Sequence, residues 1–304
     1  MIHEGNYARL LEPGLRKIFF ESYKEKPTQF TQVFNVLSSK KAMETDLRMG
    51  GFSKWNKKGT TDSTQYEDPT TTDTVIYKHS TFSKGFIVEK ELVDDEMYGQ
   101  IRKMPKALGR AARSTIEDEA ASVFNDSATA LARNWKGEAL IGTHARLDGG
   151  TTTNAIGNLT LSEQNLEVAL KLAAEQVDER GLKIQMTPDI LAVSRKNEFV
   201  AEKISKTASV PVAGTTGATF AELDHNPMRG RFKVVVLDYL SDEMADSWWL
   251  LDSQLHQLNF FWRERLNFKS TNDFDTDQAK YKGRFRISYG WSDHRGVLGA
   301  IVTE

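Results

Sequence analysis

The sequence predicts an α+β fold. Three features carry the prediction: a long amphipathic helix over about 105–131, four strands in succession between 231 and 290, and a polar ribbon over 51–82 for which a compact core has no use. The chain has 304 residues, of which 39% are hydrophobic and 27% charged, so it can bury a sizeable core and is not an intrinsically disordered chain. At roughly 150 residues per domain this length corresponds to about two domains. The balance of 40 basic against 42 acidic residues, a net charge of −2, argues against a strongly basic nucleic-acid binder. Cysteine is absent, which removes disulfide frameworks, thiolate-ligated zinc and thiol nucleophiles together. The longest apolar runs, such as Val234–Leu237, are the size of a strand and far short of a membrane span. No basic-then-apolar leader opens the chain, so a soluble intracellular product is expected.

Taken in order, residues 7–24 read as an amphipathic helix, with Leu10, Leu11, Leu15, Ile18 and Phe19 at helical spacing and Pro27 beyond its end. Residues 1–60 carry 11 Lys/Arg against 6 Asp/Glu, while residues 61–100 carry 3 against 9; these blocks of opposite sign can pair within one chain or between copies. Gly50-Gly51, Lys57-Lys58-Gly59 and a Thr/Asp/Ser run are too polar for a core, and strand character returns at Thr74–His79. This predicts a two-stranded ribbon with arms near 51–56 and 74–82. An isolated ribbon is marginal in water, so it needs a surface to lie on. A short helix is expected over 94–103. The long helix follows Pro105, with Leu108, Ala112, Ile116, Ala120, Val123, Phe124, Ala128 and Leu131 on one face and a length of roughly 40 Å.

Residues 134–161 are loop-rich. A helix then starts at a capping box of Thr160 and Glu163, or alternatively at Ser162, and stops at Gly181. Ile190–Val193 is a buried-type strand, and a helix is expected over about 195–206. The loop 208–219 is rich in Gly, Thr, Val and Pro. Strands are expected over 231–239, 247–252, 257–268 and 279–290, with a fifth in the tail at 296–302.

Catalytic chemistry finds little support. The six histidines (3, 79, 144, 225, 256 and 294) show no metal-ligand spacing. Gly214–Thr219 looks like a phosphate loop but lacks the Lys-Ser/Thr that grips phosphate and magnesium. Asp273, Asp275 and Asp277 imitate the opening of a calcium loop, yet Gln278 stands at the turn-glycine position and Arg284 where the bidentate Glu belongs. A hydrolase using these aspartates with His294 is the weakest reading. No catalytic residue, metal or cofactor is expected.

Several segments, in order, resemble the major capsid proteins of tailed bacteriophages, particularly the Mu-type head-subunit group with the Hong Kong 97-type fold. Lys136–His144 is similar to the family's Asp-Gly-x-x-Leu-Phe-x-x-x-His-Pro segment after the spine helix, with Trp135-Lys136 in place of the Asp and Ala145 in place of the Pro. Gly149-Gly150-x₃-Asn154, Leu159–Ser162, Val177–Gly181 leading to Thr187–Ser194, Trp262–Glu264 and Tyr281–Gly290 through Arg295-Gly296 follow in the family's order. No single segment is specific; the order carries the resemblance.

The resemblance implies an N-terminal arm at 1–50, an extension loop at 51–82, a peripheral domain at 83–145 and 255–293 built on the spine helix, an axial domain at 146–254 and a C-terminal strand at 294–304. It implies a structural protein that assembles with itself into pentamers and hexamers of an icosahedral head, in the virion, after assembly in the host cytoplasm. Expected partners are a separate scaffolding protein, because the chain starts almost directly at the arm, a portal, a decoration protein, and packaged double-stranded DNA touched non-specifically; no membrane is involved. Trp55, Lys57, Lys58, Tyr66, Glu67 and Asp68 are the intersubunit contact candidates. Pro211, Gly214 and Gly217 are candidates for a loop at the capsomer centre. An encapsulin-type nanocompartment shell is the alternative within the same fold.

Overall fold

The computed structural model describes residues 7–60, 63–68, 71–94, 97–129, 138–211, 223–273 and 278–303. The first part of the chain forms α1 (Tyr7–Tyr23), β1 (Asn35–Ser38), β2 (Met43–Met49), β3 (Thr71–Lys78), β4 (Ser80–Glu89), α2 (Lys90–Asp94), α3 (Tyr98–Ile101) and α4 (Lys103–Asn125). Next come β5 (Thr143–Ala145), β6 (Thr151–Thr153), α5 (Glu163–Glu175), β7 (Ile190–Ser194), α6 (Glu198–Lys206), β8 (Ser209–Pro211) and β9 (Leu223–His225). The last part forms β10 (Lys233–Leu237), β11 (Trp248–Leu251), β12 (Leu258–Asp273), β13 (Gln278–Trp291) and β14 (Val297–Ala300).

Two four-stranded sheets organise these elements. In the first, β12 and β13 make a long antiparallel hairpin, β4 joins the free side of β13, and the short β1 runs parallel to β12. Alternation along β13 sends Ala279, Tyr281, Phe285 and Ile287 to the buried side, while Lys280, Lys282, Arg284 and Arg286 point to the opposite face. Helices α1 and α4 cover the apolar side. Phe19 of α1 lies 5.0 Å from Phe268 of β12, ring to ring, and joins Leu108 and Tyr281 in one cluster. The helices cross closely at Gly109, where a Cβ would lie 2.5 Å from the carbonyl oxygen of Phe19.

The second sheet has the order β10-β7-β11-β14. Both its faces are covered, which is why Ile190–Val193 and Trp248–Leu251 are continuous apolar runs rather than alternating ones. Leu191, Val193, Trp248 and Leu250 pack with Leu166 and Ala169 of α5 and Ala201 of α6. Ala192, Trp249 and Leu251 turn the other way and join Phe124, Phe260 and Tyr289, so the two sheets share a core. Asn154 stitches this junction: its Nδ2 donates to the carbonyls of Leu140 (2.8 Å) and Val297 (3.0 Å), and its Oδ1 accepts from Gly142 N (2.9 Å).

The helix expected over 7–24 is α1, and the N-terminal region packs on the body, with Leu15, Phe19, Phe30, Val33 and Phe34 buried. The apolar stripe of α1 finds α4, and Glu117 of α4 accepts from the amides of Gln29 and Phe30, both at 3.0 Å. Several expectations need correction. The long helix ends at Asn125 rather than near 131. There the Asn125 side chain donates to Tyr239 O (3.3 Å) and accepts from Ser241 N (2.9 Å), and Asp126 and Ser127 turn out of the helix. The following helix uses Ser162 as its cap, accepting from Asn165 N at 3.2 Å, and ends at Glu175, so Gly181 (φ +78°) belongs to the next turn. The ribbon's arms are Met43–Met49 and Thr71–Lys78, not 51–56 and 74–82. Residues 80–89 instead pair with β13, since Phe82, Phe86 and Val88 give them one apolar face.

Candidate functional site

The ribbon β2–β3 is the feature that the two sheets leave without a core of its own. At its base, Val75 and Tyr77 are buried. The Tyr77 ring lies 5.0 Å from Phe261, its hydroxyl is 2.5 Å from Ser292 Oγ, and Asn259 Nδ2 donates to it at 3.4 Å. Burial pushes the Tyr77 phenol up to about 12, against the hydrogen bonds from Ser292 and Asn259. At the β3–β4 corner His79 bridges Ser39 (3.1 Å) and Ser288 (3.0 Å).

Beyond the strands the two limbs stay side by side through polar cross-links. Ser53 donates from its amide (3.0 Å) and hydroxyl (2.6 Å) to Glu67, and Asn56 Nδ2 donates to Gln65 Oε1 at 2.9 Å. Trp55 and Tyr66 lie between these links and are 93% and 94% exposed. Lys57, Lys58 and Asp68 are exposed as well. Glu67 differs: Arg180 Nη1 approaches it at 2.8 Å, and the Ser53 bonds followed by this charge hold its carboxyl below the usual range. The structure therefore brings Trp55, Tyr66 and Glu67 together at one level of the ribbon. Pro211 ends β8, paired with Leu223 of β9, whereas Gly214 and Gly217 lie outside the described residues.

A charged cluster behind the ribbon was not apparent from the sequence. Arg48 of β2 ion-pairs with Glu179 and lies 3.9 Å from Asp293. Asp293 also accepts from Arg295 N (3.1 Å) and Arg295 Nε (2.8 Å). Burial alone would raise the Asp293 carboxyl, but Arg295, His294 and Arg48 outweigh it and hold it at about 2. Beside it the rings of His144 and His294 stack with centroids 3.7 Å apart and an 8° interplanar angle. Of the calcium-loop pattern, Asp273 pairs with Lys280, while Asp275 and Asp277 lie outside the described residues; among the described residues no metal-binding group of three or more acids and histidines forms. Likewise, among the described residues no helix is long and apolar enough to cross a membrane.

A projecting polar ribbon, a helix laid on a long hairpin and a second sheet with both faces covered together fit a subunit that completes its surfaces with copies of itself. A family model described as phage capsid protein matches residues 71–300. The chain belongs to the phage capsid protein family.

Solved structures agree on the fold of this capsid protein. A chain from Mycobacterium phage Patience matches with a TM-score of 0.56 at 11% identity, covering 97% of this chain and 88% of that one. The capsid of cyanophage P-SCSP1u matches with a TM-score of 0.53 at 12% identity, over 92% and 89%. A virus-like particle from Pyrococcus furiosus matches with a TM-score of 0.52 at 10% identity, over 94% and 97%. No curated protein matches the chain. Family and fold together make it a phage capsid protein with the Hong Kong 97-type fold.

Proposed function

We propose that this capsid protein builds the pentamers and hexamers of an icosahedral head enclosing double-stranded DNA, with the ribbon clasping a neighbouring subunit. The observation that carries the reading is the pair Trp55 and Tyr66, two large aromatics left almost wholly in solvent on two limbs that are cross-linked to each other. Such residues are worth exposing where a second surface covers them. In this reading α1, α4 and the first sheet form the peripheral domain, the second sheet with α5 and α6 forms the axial domain, and the segment from Pro211 through Gly214 and Gly217 faces the capsomer centre. The subunit is structural rather than catalytic. It assembles in the host cytoplasm with a separate scaffolding protein, a portal and a decoration protein, and touches DNA weakly and without sequence preference, in keeping with a net charge of −2.

The test is deletion of residues 53–67, closed by a short turn. The ribbon's paired arms and both sheets remain, so the subunit folds, while negative-stain microscopy of the full chain expressed with its scaffold shows shells and the deletion gives none or fragile ones. Normal shells from the deletion overturn the clasp. The likeness to the Pyrococcus furiosus virus-like particle supports a second reading, a nanocompartment shell of encapsulin type. Recovery of a packaged enzyme rather than DNA from purified particles would select it.

A further inference from the structure

We propose that the stacked pair His144–His294 and Arg48 form an acid-sensitive latch that holds the base of the ribbon to the body of the subunit at neutral pH and releases it on acidification. Four segments distant in sequence meet at this point: Arg48 from β2, His144 from β5, the turn carrying Glu179, and the loop Asp293-His294-Arg295 between β13 and β14. Both histidine side chains are buried, at 4% and 1% exposure. Among the described residues, Nε2 of His144 and both ring nitrogens of His294 have no hydrogen-bond partner. Rings stacked face to face at 3.7 Å are compatible with two neutral imidazoles and poorly compatible with two cations.

The surrounding charges set the sign. His144 faces Glu138 (3.9 Å) and Arg48; His294 faces Asp293 (3.7 Å), Arg48 and Arg295; Glu179 and Asp178 lie around Arg295. Burial lowers both histidines below 6.5; for His294 the neighbouring ring and the two arginines add to burial and outweigh Asp293. A histidine that titrates lower in the closed form than in the open one favours closure above its ordinary value. It opposes closure as pH falls below roughly 6.5, by up to about tenfold per pH unit per histidine until the closed form itself is protonated. Withdrawing Arg48 relieves the repulsion and frees Asp293 for a protonated His294. Proton uptake and engagement of Arg48 therefore compete. Because Arg48 is the penultimate residue of β2, the strand that moves is an arm of the ribbon. The latch belongs to the single subunit and stands whether or not the ribbon clasps a neighbour.

Hydrogen–deuterium exchange on the full-length dissociated subunit at pH 7.5 and 5.0, corrected for intrinsic exchange, reads the latch directly. Protection of Met43–Met49 and Thr71–Lys78 should fall tenfold or more at pH 5.0, while Trp248–Leu251 in the second sheet stays protected. Histidine titration by NMR gives the reciprocal measurement: Arg48→Met should raise the midpoint of His294, with that of His144 following in the same direction. Equal ribbon protection at both pH values, loss of protection in Trp248–Leu251 in parallel with the ribbon, or histidine midpoints unmoved by Arg48→Met would each overturn the proposal. Should Arg48→Met fail to fold, the exchange comparison on the unmodified chain decides alone.

Discussion

Arg180 Nη1 lies 2.8 Å from Glu67 Oε1, tying the returning limb of the ribbon to the turn that follows α5. The contact spans the outer part of the ribbon, whereas Tyr77 and Arg48 hold its base. The two attachments differ in kind. Tyr77 is buried among aromatic and hydroxyl groups, while Glu67 and Arg180 keep roughly a third and a quarter of their side chains in solvent. The outer attachment is therefore the one that salt and competing partners can loosen.

Replacing Glu67 by Ala should consequently leave the thermal midpoint of the subunit where it is and change only the ribbon. Loss of the Ser53 and Arg180 contacts frees the limb, and trypsin should cut at Lys54, Lys57 and Lys58 several times faster than in the unmodified chain. Raising salt to 1 M should reproduce part of this effect in the unmodified chain. Unchanged cleavage rates would mean that the limb is held by something other than Glu67.

The double replacement Trp55→Ser and Tyr66→Ser probes the clasp rather than its tether. Neither side chain is buried in the subunit, so urea unfolding of the single chain should be unaffected. If each aromatic is covered by a neighbour, the loss is about 1.5–3 kcal/mol per side chain at every such contact. At about 1.4 kcal/mol per factor of ten, that raises the concentration needed for assembly by at least tenfold. Light scattering during assembly measures it, and an unchanged threshold would remove both residues from the interface.

The crossing of α1 and α4 yields a stability prediction. In an open helix Gly→Ala is favourable by about 1 kcal/mol. At Gly109 the new methyl would meet the Phe19 carbonyl at 2.5 Å, an atom of a helix backbone that cannot rotate aside. Gly109→Ala should therefore destabilise by about 1–3 kcal/mol, the range for overpacking, as a lower urea midpoint. Stabilisation instead would show that α1 shifts easily on α4.

How much of this architecture was legible in the sequence depends on how local its cause is. Helices α1 and α4 and strand β13 were readable because an apolar face repeats at their own period, as in Leu108, Ile116, Ala120 and Phe124, and β7, β11 and β14 because each is a short, continuously buried apolar run. The ribbon was readable as a polar insertion, but its arms were misplaced. Met43–Met49 alternates Met43, Leu47 and Met49 with Glu44, Asp46 and Arg48, but Met43 and Leu47 stay half exposed, so pairing with β3 rather than burial of an apolar face makes it a strand. The cluster of Arg48, His144, Glu179 and His294 was invisible for a different reason. Its members come from four separate parts of the chain, and only the packing of both sheets brings them together.

Tyr77 supplies the last prediction, at the alkaline end. Its folded-state value near 12 lies above the ordinary phenol value of 10, so the folded form prefers the neutral phenol. The associated stability is fully present below pH 10 and is lost as pH rises from 10 toward 12, at up to about 1.4 kcal/mol per pH unit. Tyr77→Phe has no phenol to ionise, yet it leaves Ser292 and Asn259 short of a partner, which should cost about 1 kcal/mol at pH 8. The two proteins should therefore differ in urea midpoint at pH 8 and converge near pH 11, because the unmodified chain loses what the variant never had. Other tyrosines and the lysines titrate in both chains and cancel in the difference. A gap that stays constant from pH 8 to pH 11 would show that the phenol of Tyr77 ionises as freely in the folded subunit as in the unfolded chain, and that the ribbon base is open to water.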